Sequence, residues 1–211
     1  MEPERDAGPF RAGILFVISA PSGAGKTTLC KEIIDFFPSL RHSVSYTTRP
    51  QRPGEQDGID YHFVTPETFD AMVAEGAFAE WAEVHGNRYG TAIETLERFR
   101  LEGCDVLLDI DIQGARQLKK NYRQGVYIFV LPPSFDELRR RLQGRNTDAP
   151  EVIARRLANA QLEVREAGYY DYLVINDVFA KALDELKAII VAEGCRASRV
   201  LPLVAKEFQI A

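Results

Sequence analysis

The sequence predicts an α/β fold, a three-layer α/β/α core on a parallel sheet, carrying a small β-rich insertion and a helical segment dense in arginine. Three observations carry this expectation. Short apolar runs (Gly13–Ser19, Asp105–Asp109, Gly125–Leu131 and Tyr172–Ile175) alternate with segments of helical period, the mark of a buried parallel sheet. The first of these runs leads into a glycine-rich turn and then a helix in which Leu29, Ile33 and Phe37 recur at four-residue spacing. Residues 43–91 are instead strand-rich with short connections, as expected of an insertion standing on the core.

Residues 1–12 read as a polar, frayed leader. The first helix should end near Pro38, and Ser43–Tyr46 reads as a short strand. Thr47–Gly58 holds too much proline and glycine for regular structure. Tyr61–Val64 reads as a strand, and Thr65-Pro66-Glu67 opens a helix toward Glu75 with an N-cap, an N1 proline and an acidic first turn. Phe78–Val84 reads as a strand, Gly86–Gly90 as a turn and Ala92–Leu101 as a helix. After the Asp105–Asp109 and Gly125–Leu131 strands, Ser134 and Glu137 form a capping box for a helix that Gly144–Pro150 breaks and Glu151–Ala167 resumes. Ala180–Glu193 is the closing helix, and the pattern assigns no element to Ala197–Ala211. The organisation expected is a core of 13–42 and 92–194, an insertion of 43–91, a lid of about 139–156 and a tail of 195–211.

The net charge of −5 argues against general attraction to nucleic acid or an anionic membrane, so an anion site must be local. Cys30, Cys104 and Cys195 are far apart and odd in number, which fits neither a disulfide framework nor a zinc pattern and favours a reducing cytoplasm. His42, His62 and His85 show no ligand spacing. No apolar run is long enough to span a bilayer.

The chemistry starts at the loop Ala20, Pro21, Ser22, Gly23, Ala24, Gly25, Lys26, Thr27, Thr28, close to the pattern G-x-x-x-x-G-K-[ST] with Ala20 at the first glycine. Its backbone N–H groups and the following helix dipole suit the phosphates of a nucleoside triphosphate such as ATP. Lys26 adds a full charge, and the Thr27 hydroxyl is placed to hold Mg²⁺. Asp109, ending a buried strand, matches the aspartate that orients Mg²⁺ directly or through water. Asp111-Ile112-Gln113-Gly114 spells the D-x-x-G of GTPases, but no Asn-Lys-x-Asp element accompanies it, so the match reads as chance.

Arg139, Arg140, Arg141, Arg145, Arg155 and Arg156 crowd one stretch, either a solvated helix face or an anion-facing lid interrupted at Gly144–Thr147. Arg49 and Arg52, with the hydroxyls of Ser45, Tyr61, Tyr89 and Thr91, suggest a second anion site for a phosphorylated acceptor. A buried carboxylate accepting two donors would prefer guanine to adenine. Glu80 and Asp111 are the candidates, and the residues alone leave that base choice open.

With these motifs in view, the chain resembles the guanylate kinases from about Gly13 to Gly194. The segments that carry the resemblance are Ser19–Thr27, Ser43–Arg49 with Arg52 and Gly54-Glu55, Asp60-Tyr61, Glu80-Trp81-Ala82, Gly86–Thr91, Asp109–Gly114, Leu142–Arg145 and Ile175-Asn176-Asp177. The resemblance implies transfer from ATP to GMP, with dGMP accepted too, and Mg²⁺ as cofactor. It also implies that Ser45, Arg49, Arg52, Tyr61 and Tyr89 take the GMP phosphate, and that Glu80, Thr91 and Asp111 take guanine. Lys26, Arg141, Arg145 and Arg156 would serve the transferring phosphoryl group, and Asn176 the adenine end of the ATP site. Ala20 and Thr91 are departures that this family tolerates. Guanylate-kinase-like scaffold modules keep the fold but lose the loop and its lysine; here Lys26, Thr27 and Asp109 are all present. A kinase for another small phosphorylated metabolite remains the alternative if Glu80 and Asp111 do not read guanine. No nucleic acid or membrane partner is expected, and monomer and homo-oligomer both stay open.

Overall fold

The computed structural model describes residues 13–84, 86–144 and 150–210; the expected leader, His85 and Arg145 lie outside the described residues. Along the chain the elements are β1 (Leu15–Ser19), α1 (Lys26–Phe36), β2 (Leu40–His42), β3 (Tyr46–Thr47), β4 (His62–Phe63), α2 (Pro66–Ala74), β5 (Phe78–Val84), β6 (Asn87–Ala92) and α3 (Ile93–Leu101). They continue with β7 (Asp105–Asp109), α4 (Ile112–Asn121), β8 (Val126–Leu131), α5 (Phe135–Gln143), α6 (Pro150–Val164), a 3₁₀ turn (Arg165–Tyr169), β9 (Tyr172–Ile175), α7 (Phe179–Gly194) and α8 (Ala197–Phe208).

Five parallel strands form the main sheet in the order β2-β7-β1-β8-β9. The three central strands, β7, β1 and β8, are buried on both faces, so their side chains alternate between two cores, whereas the edge strand β9 exposes Leu173 and Ile175 on one face. Phe16, Ile18, Leu107, Ile128 and Val130 face one core with Leu29 and Ile33 of α1 and Leu186 and Ile190 of α7. Val17, Val106, Leu108 and Tyr127 face the other with Leu96 of α3 and Leu118 of α4. That is the three-layer arrangement. Because all five strands run the same way, their carboxyl ends gather Ser19, Asp109, Leu131 and Ile175 along one rim, where α/β sheets place ligands.

The second sheet, in the order β4-β3-β6-β5, stands above that rim. Its hairpin pairs Glu80 with Thr91 and Val84 with Asn87. The chain enters it by leaving β2 at Ser43, whose N–H donates to Leu107 O at 3.1 Å.

Several expectations are corrected here. Ser43–Tyr46 is not one strand. Leu40–His42 pairs with β7 and Tyr46–Thr47 pairs with β4 and β6, so the segment between them crosses from sheet to sheet. Gly86–Gly90 is not a turn beyond its first residue, since Asn87–Ala92 is strand. Gly90 misleads because it serves packing: a Cβ there would lie 2.9 Å from the Phe78 ring. Helix α4, to which the sequence pattern assigns no element, is anchored by Ile112, Ala115 and Leu118 at three-residue spacing in an otherwise polar segment. The tail is a helix with Pro202 inside it. Its start is tied to Glu193 of α7, which is 2 % exposed, accepts the Tyr172 hydroxyl at 2.6 Å and pairs with Arg196 at 2.8 Å. The box at Ser134 is half formed. Ser134 Oγ accepts the Glu137 N–H at 3.1 Å, but the Glu137 carboxylate turns to Arg140 and Arg141.

Leu107 is fully buried in a strand paired on both sides. Leu107→Ala should therefore cost about 2–5 kcal/mol in urea denaturation, with an unchanged denaturant slope.

Candidate active site

The loop between β1 and α1 takes its shape from two glycines in the left-handed region, Gly23 at φ 95° and Gly25 at φ 94°. Ala24 N donates to Pro21 O at 3.0 Å, closing a turn that leads into the first residue of α1, Lys26. A side chain at Gly25 would collide with Asn176. Asn176, 5 % exposed, donates its side-chain amide to Ala24 O at 2.8 Å. Asn176 N in turn donates to Leu131 O at 2.7 Å, so the rim beyond β9 props the loop.

Lys26 reaches across to the end of β7. Its ammonium donates to Ile110 O at 3.0 Å and pairs with the Asp109 carboxylate. Burial works against this charge, yet the Asp109 carboxylate outweighs it and holds the Lys26 pKa above its ordinary value. Thr27 is exposed on the same side and lines a cavity with Asp109.

Opposite lies the second sheet. Ser45, Arg49, Arg52, Tyr61 and Tyr89 line that cavity of about 550 Å³. Arg49 is 9 % exposed, donates to Glu55 Oε1 at 2.7 Å and to Pro50 O at 2.8 Å, and lies over the Tyr61 ring at 5.4 Å. Arg52 is exposed, with its backbone N–H on Glu55 Oε2 at 2.8 Å. Glu55 therefore organises both arginines.

An adjoining cavity of about 190 Å³ is lined by Lys26, Thr27, Asp109 and Asp111 from the core and by Ser45, Tyr61, Glu80 and Tyr89 from the second sheet. Glu80 is 4 % exposed and accepts the Thr91 hydroxyl at 2.5 Å; Thr91 itself is fully buried and acts on Glu80. Burial pushes the Glu80 carboxyl up to about 7; the Thr91 hydrogen bond opposes this and the Asp111 charge adds to it. Asp111 caps α4, accepting the Gly114 N–H at 2.8 Å, and burial raises its pKa too.

The predicted lid residues fare differently. Arg141 donates to Glu137 Oε1 at 2.7 Å and to Asn176 O at 2.9 Å, so it joins α5 to the residue that props the loop. Arg156 sits half-buried on α6, and Arg145 lies outside the described residues. Arg139 and Arg140 are exposed and paired with Asp136 and Glu137.

A family model described as guanylate kinase matches residues 13–193. The chain belongs to the guanylate kinase family. It is 66% identical over 200 residues to the guanylate kinase of Syntrophotalea carbinolica, covering 95% of each chain. It is 62% identical to that of Geobacter metallireducens, covering 95% of this chain and 98% of the relative. The crystal structure of guanylate kinase from Anaplasma phagocytophilum matches with a TM-score of 0.76 at 34% identity, covering 95% of this chain and 98% of that one.

Sequence reasoning missed two supports of this candidate site. Glu55 was visible only as part of the Gly54-Glu55 segment, and its hold on Arg49 depends on how the proline-rich loop folds back. The amide of Asn176 serves the loop, and nothing in Ile175-Asn176-Asp177 signals a contact to Ala24, far away in the chain.

The Glu80 carboxyl has a pH consequence. Its folded value, about 7, lies above the reference value of 4.5, so folding favours the protonated form. That contribution is fully present below pH 4.5 and is lost as the pH rises through 7. Relative to Glu80→Gln, the ligand-free protein should lose roughly 2–3 kcal/mol of stability between about pH 5 and about pH 8. Urea denaturation across that range checks it, and parallel curves would contradict it.

Proposed function

We propose that this guanylate kinase transfers the γ-phosphoryl group of ATP to GMP, giving ADP and GDP, in a two-nucleotide site joined at Lys26. The reading is carried by the cavity that Lys26, Thr27, Asp109 and Asp111 share with Ser45, Tyr61, Glu80 and Tyr89. A donor phosphate chain on the loop and an acceptor phosphate on the second sheet would meet there.

On the donor side, the left-handed Gly23 and Gly25 leave backbone N–H groups for the β-phosphate, and the start of α1 adds its dipole. Lys26 would exchange its contacts with Asp109 and Ile110 for phosphate oxygens, keeping a proton that its raised pKa already secures. Asn176 supports this half by bracing the loop through Ala24. The Thr27 hydroxyl and the Asp109 carboxylate are hard oxygen donors that fit Mg²⁺, an ion that takes one or two protein oxygens together with waters and substrate phosphates. When bound, Mg²⁺ neutralises charge on the phosphate chain.

On the acceptor side, Arg49 and Arg52 supply cationic forks, and Ser45, Tyr61 and Tyr89 supply hydroxyl donors to the GMP phosphate. Arg49 is pre-oriented by Glu55 and stays charged, its pKa raised by that hydrogen bond. Glu80, oriented by Thr91, and Asp111 face the guanine edge with acceptors. Adenine lacks the matching pair of donors and would leave a buried carboxylate unpaired. The GMP phosphate is itself the nucleophile, so the protein needs only to align the two phosphates and stabilise the charge between them. Arg141, Arg145 and Arg156 are assigned to that charge. dGMP fits the same contacts, because none of the named residues is assigned to the ribose.

Steady-state kinetics with each nucleotide varied separately tests the division of labour. Lys26→Ala should lower kcat by about 10²–10³ or more. Arg49→Ala should raise the KM for GMP about 10- to 100-fold and leave the KM for ATP within about twofold. An Arg49→Ala enzyme impaired for ATP rather than GMP would overturn the assignment of the two halves.

A further inference from the structure

Helix α4 meets the second sheet at one place, and the contact surrounds Glu80. Gly114 is buried in the first turn of α4, directly against the Glu80 carboxyl. A Cβ at this position would collide with Glu80 Oε2, lie 2.9 Å from Glu80 Cδ and lie 3.2 Å from Asp111 Oδ1. The backbone of Gly114 is helical, so no left-handed conformation calls for glycine here. Glycine inside a helix costs about 1 kcal/mol relative to alanine. What that cost secures is room for Glu80 beside Asp111.

One turn further, Gln117 grips the residue that follows Glu80. Its Nε2 donates to Trp81 O at 2.7 Å and its Oε1 accepts the Trp81 N–H at 3.3 Å. This side-chain amide occupies the open edge of β5, the outermost strand of its sheet. Gln113 adds a contact at 3.4 Å to Glu83 O. The backbone at Glu80 is thus held by β6 on one side, where Glu80 pairs with Thr91, and by α4 on the other.

We propose that Gly114 and Gln117 are positioning residues for base selection: Gly114 leaves the space that Glu80 occupies, and Gln117 sets the distance of β5 from α4. The proposal rests on the reading of Glu80 as a guanine acceptor. Neither residue touches substrate. Both act through Glu80, and the D-x-x-G spelling at 111–114 gains a physical meaning that owes nothing to GTPase switching. A carboxylate displaced by a methyl group would meet the guanine donors with poor geometry, whereas the phosphate loop, on the other side of Lys26, would be undisturbed.

The test compares wild type, Gly114→Ala, Glu80→Asp, the Gly114→Ala/Glu80→Asp double variant, Gln117→Ala and Glu80→Gln, with ATP and GMP varied separately and AMP offered as a competing acceptor. Gly114→Ala should raise the KM for GMP at least about tenfold, lower the GMP-over-AMP ratio of kcat/KM by a similar factor and leave the KM for ATP within about twofold. Glu80→Asp withdraws the carboxylate by one methylene, so the double variant should be no worse than Glu80→Asp alone. A general packing defect would not give that rescue. Gln117→Ala introduces no clash and should raise the KM for GMP about threefold to tenfold, which keeps the test in force should Gly114→Ala not fold. An unchanged KM for GMP in Gln117→Ala and Gly114→Ala, or KM values for ATP and GMP rising together, would overturn the proposal. So would a double variant whose losses simply multiply. If Glu80→Gln itself leaves GMP use unaltered, the reading of Glu80 fails, and that result is distinct from a failure of Gly114 and Gln117 alone.

Discussion

The contact between Lys26 and Asp109 is the constraint around which the site is arranged. Both side chains are about four-fifths shielded from solvent, at 20% and 19% exposure, so neither charge is tolerable without the other or a substitute. The parallel register that brings Ile18 beside Asp109 fixes where the pair forms. The left-handed glycines fix where α1 can start, and so where Lys26 emerges. On the proposed function, a triphosphate on the loop would offer Lys26 a second anion and leave Asp109 free to face a cation. On that reading, the ligand-free charge balance already holds the two side chains where the proposed transfer would use them.

A second balance, chiefly of burial with a smaller like-charge contribution at Glu80, holds at Glu80 and Asp111, the residues proposed to read the base. Glu80 and Asp111 are both shielded and both shifted toward the neutral form by burial. The N-terminus of α4 lies against both. It donates one N–H to Asp111 and presents a bare Cα to Glu80. Two buried carboxylates are costly in the empty protein despite the favourable helix N-terminus, and a ligand that brings donors to them would recover that cost. This is how a site gains selectivity for the partner with the right hydrogen-bond pattern rather than for any planar base. The proposed phosphate half, with Arg49, Arg52 and hydroxyls, could not make that distinction, because every nucleoside monophosphate would offer it the same group.

Much of this was legible in the sequence, and the reasons are physical. β1, the loop and α1 announce themselves because a buried parallel strand must be apolar and a phosphate loop must contain glycine where the backbone turns left-handed. Asp105–Asp109 was read to the residue for the same reason; Tyr172–Ile175 was also bounded correctly, but it is an edge strand that exposes Leu173 and Ile175 rather than a buried one. What escaped was set by tertiary contacts. Gly90 looks like a turn residue but yields space to Phe78, and Gly114 looks like a motif residue but yields space to Glu80. Helix α4 is polar along most of its length because its outward face carries Arg116, Lys119 and Lys120 and its inward amides hold β5. Helix α8 is amphipathic but buries no residue and carries Pro202 inside it, a residue that argues against a helix in the sequence. The site residues were named from their chemistry and from family resemblance; only the fold could assign Asn176 to bracing Ala24.

The central claim is that one site joins a triphosphate donor to an acceptor chosen by its base. The most direct measurement is the initial rate of ADP formation from ATP and Mg²⁺ with GMP, AMP, CMP and UMP supplied in turn as sole acceptor. A carboxylate-lined base pocket predicts turnover with GMP exceeding that with AMP by at least about a hundredfold in kcat/KM, in line with sites built to pair buried polar groups. Comparable kcat/KM for AMP and GMP would contradict it.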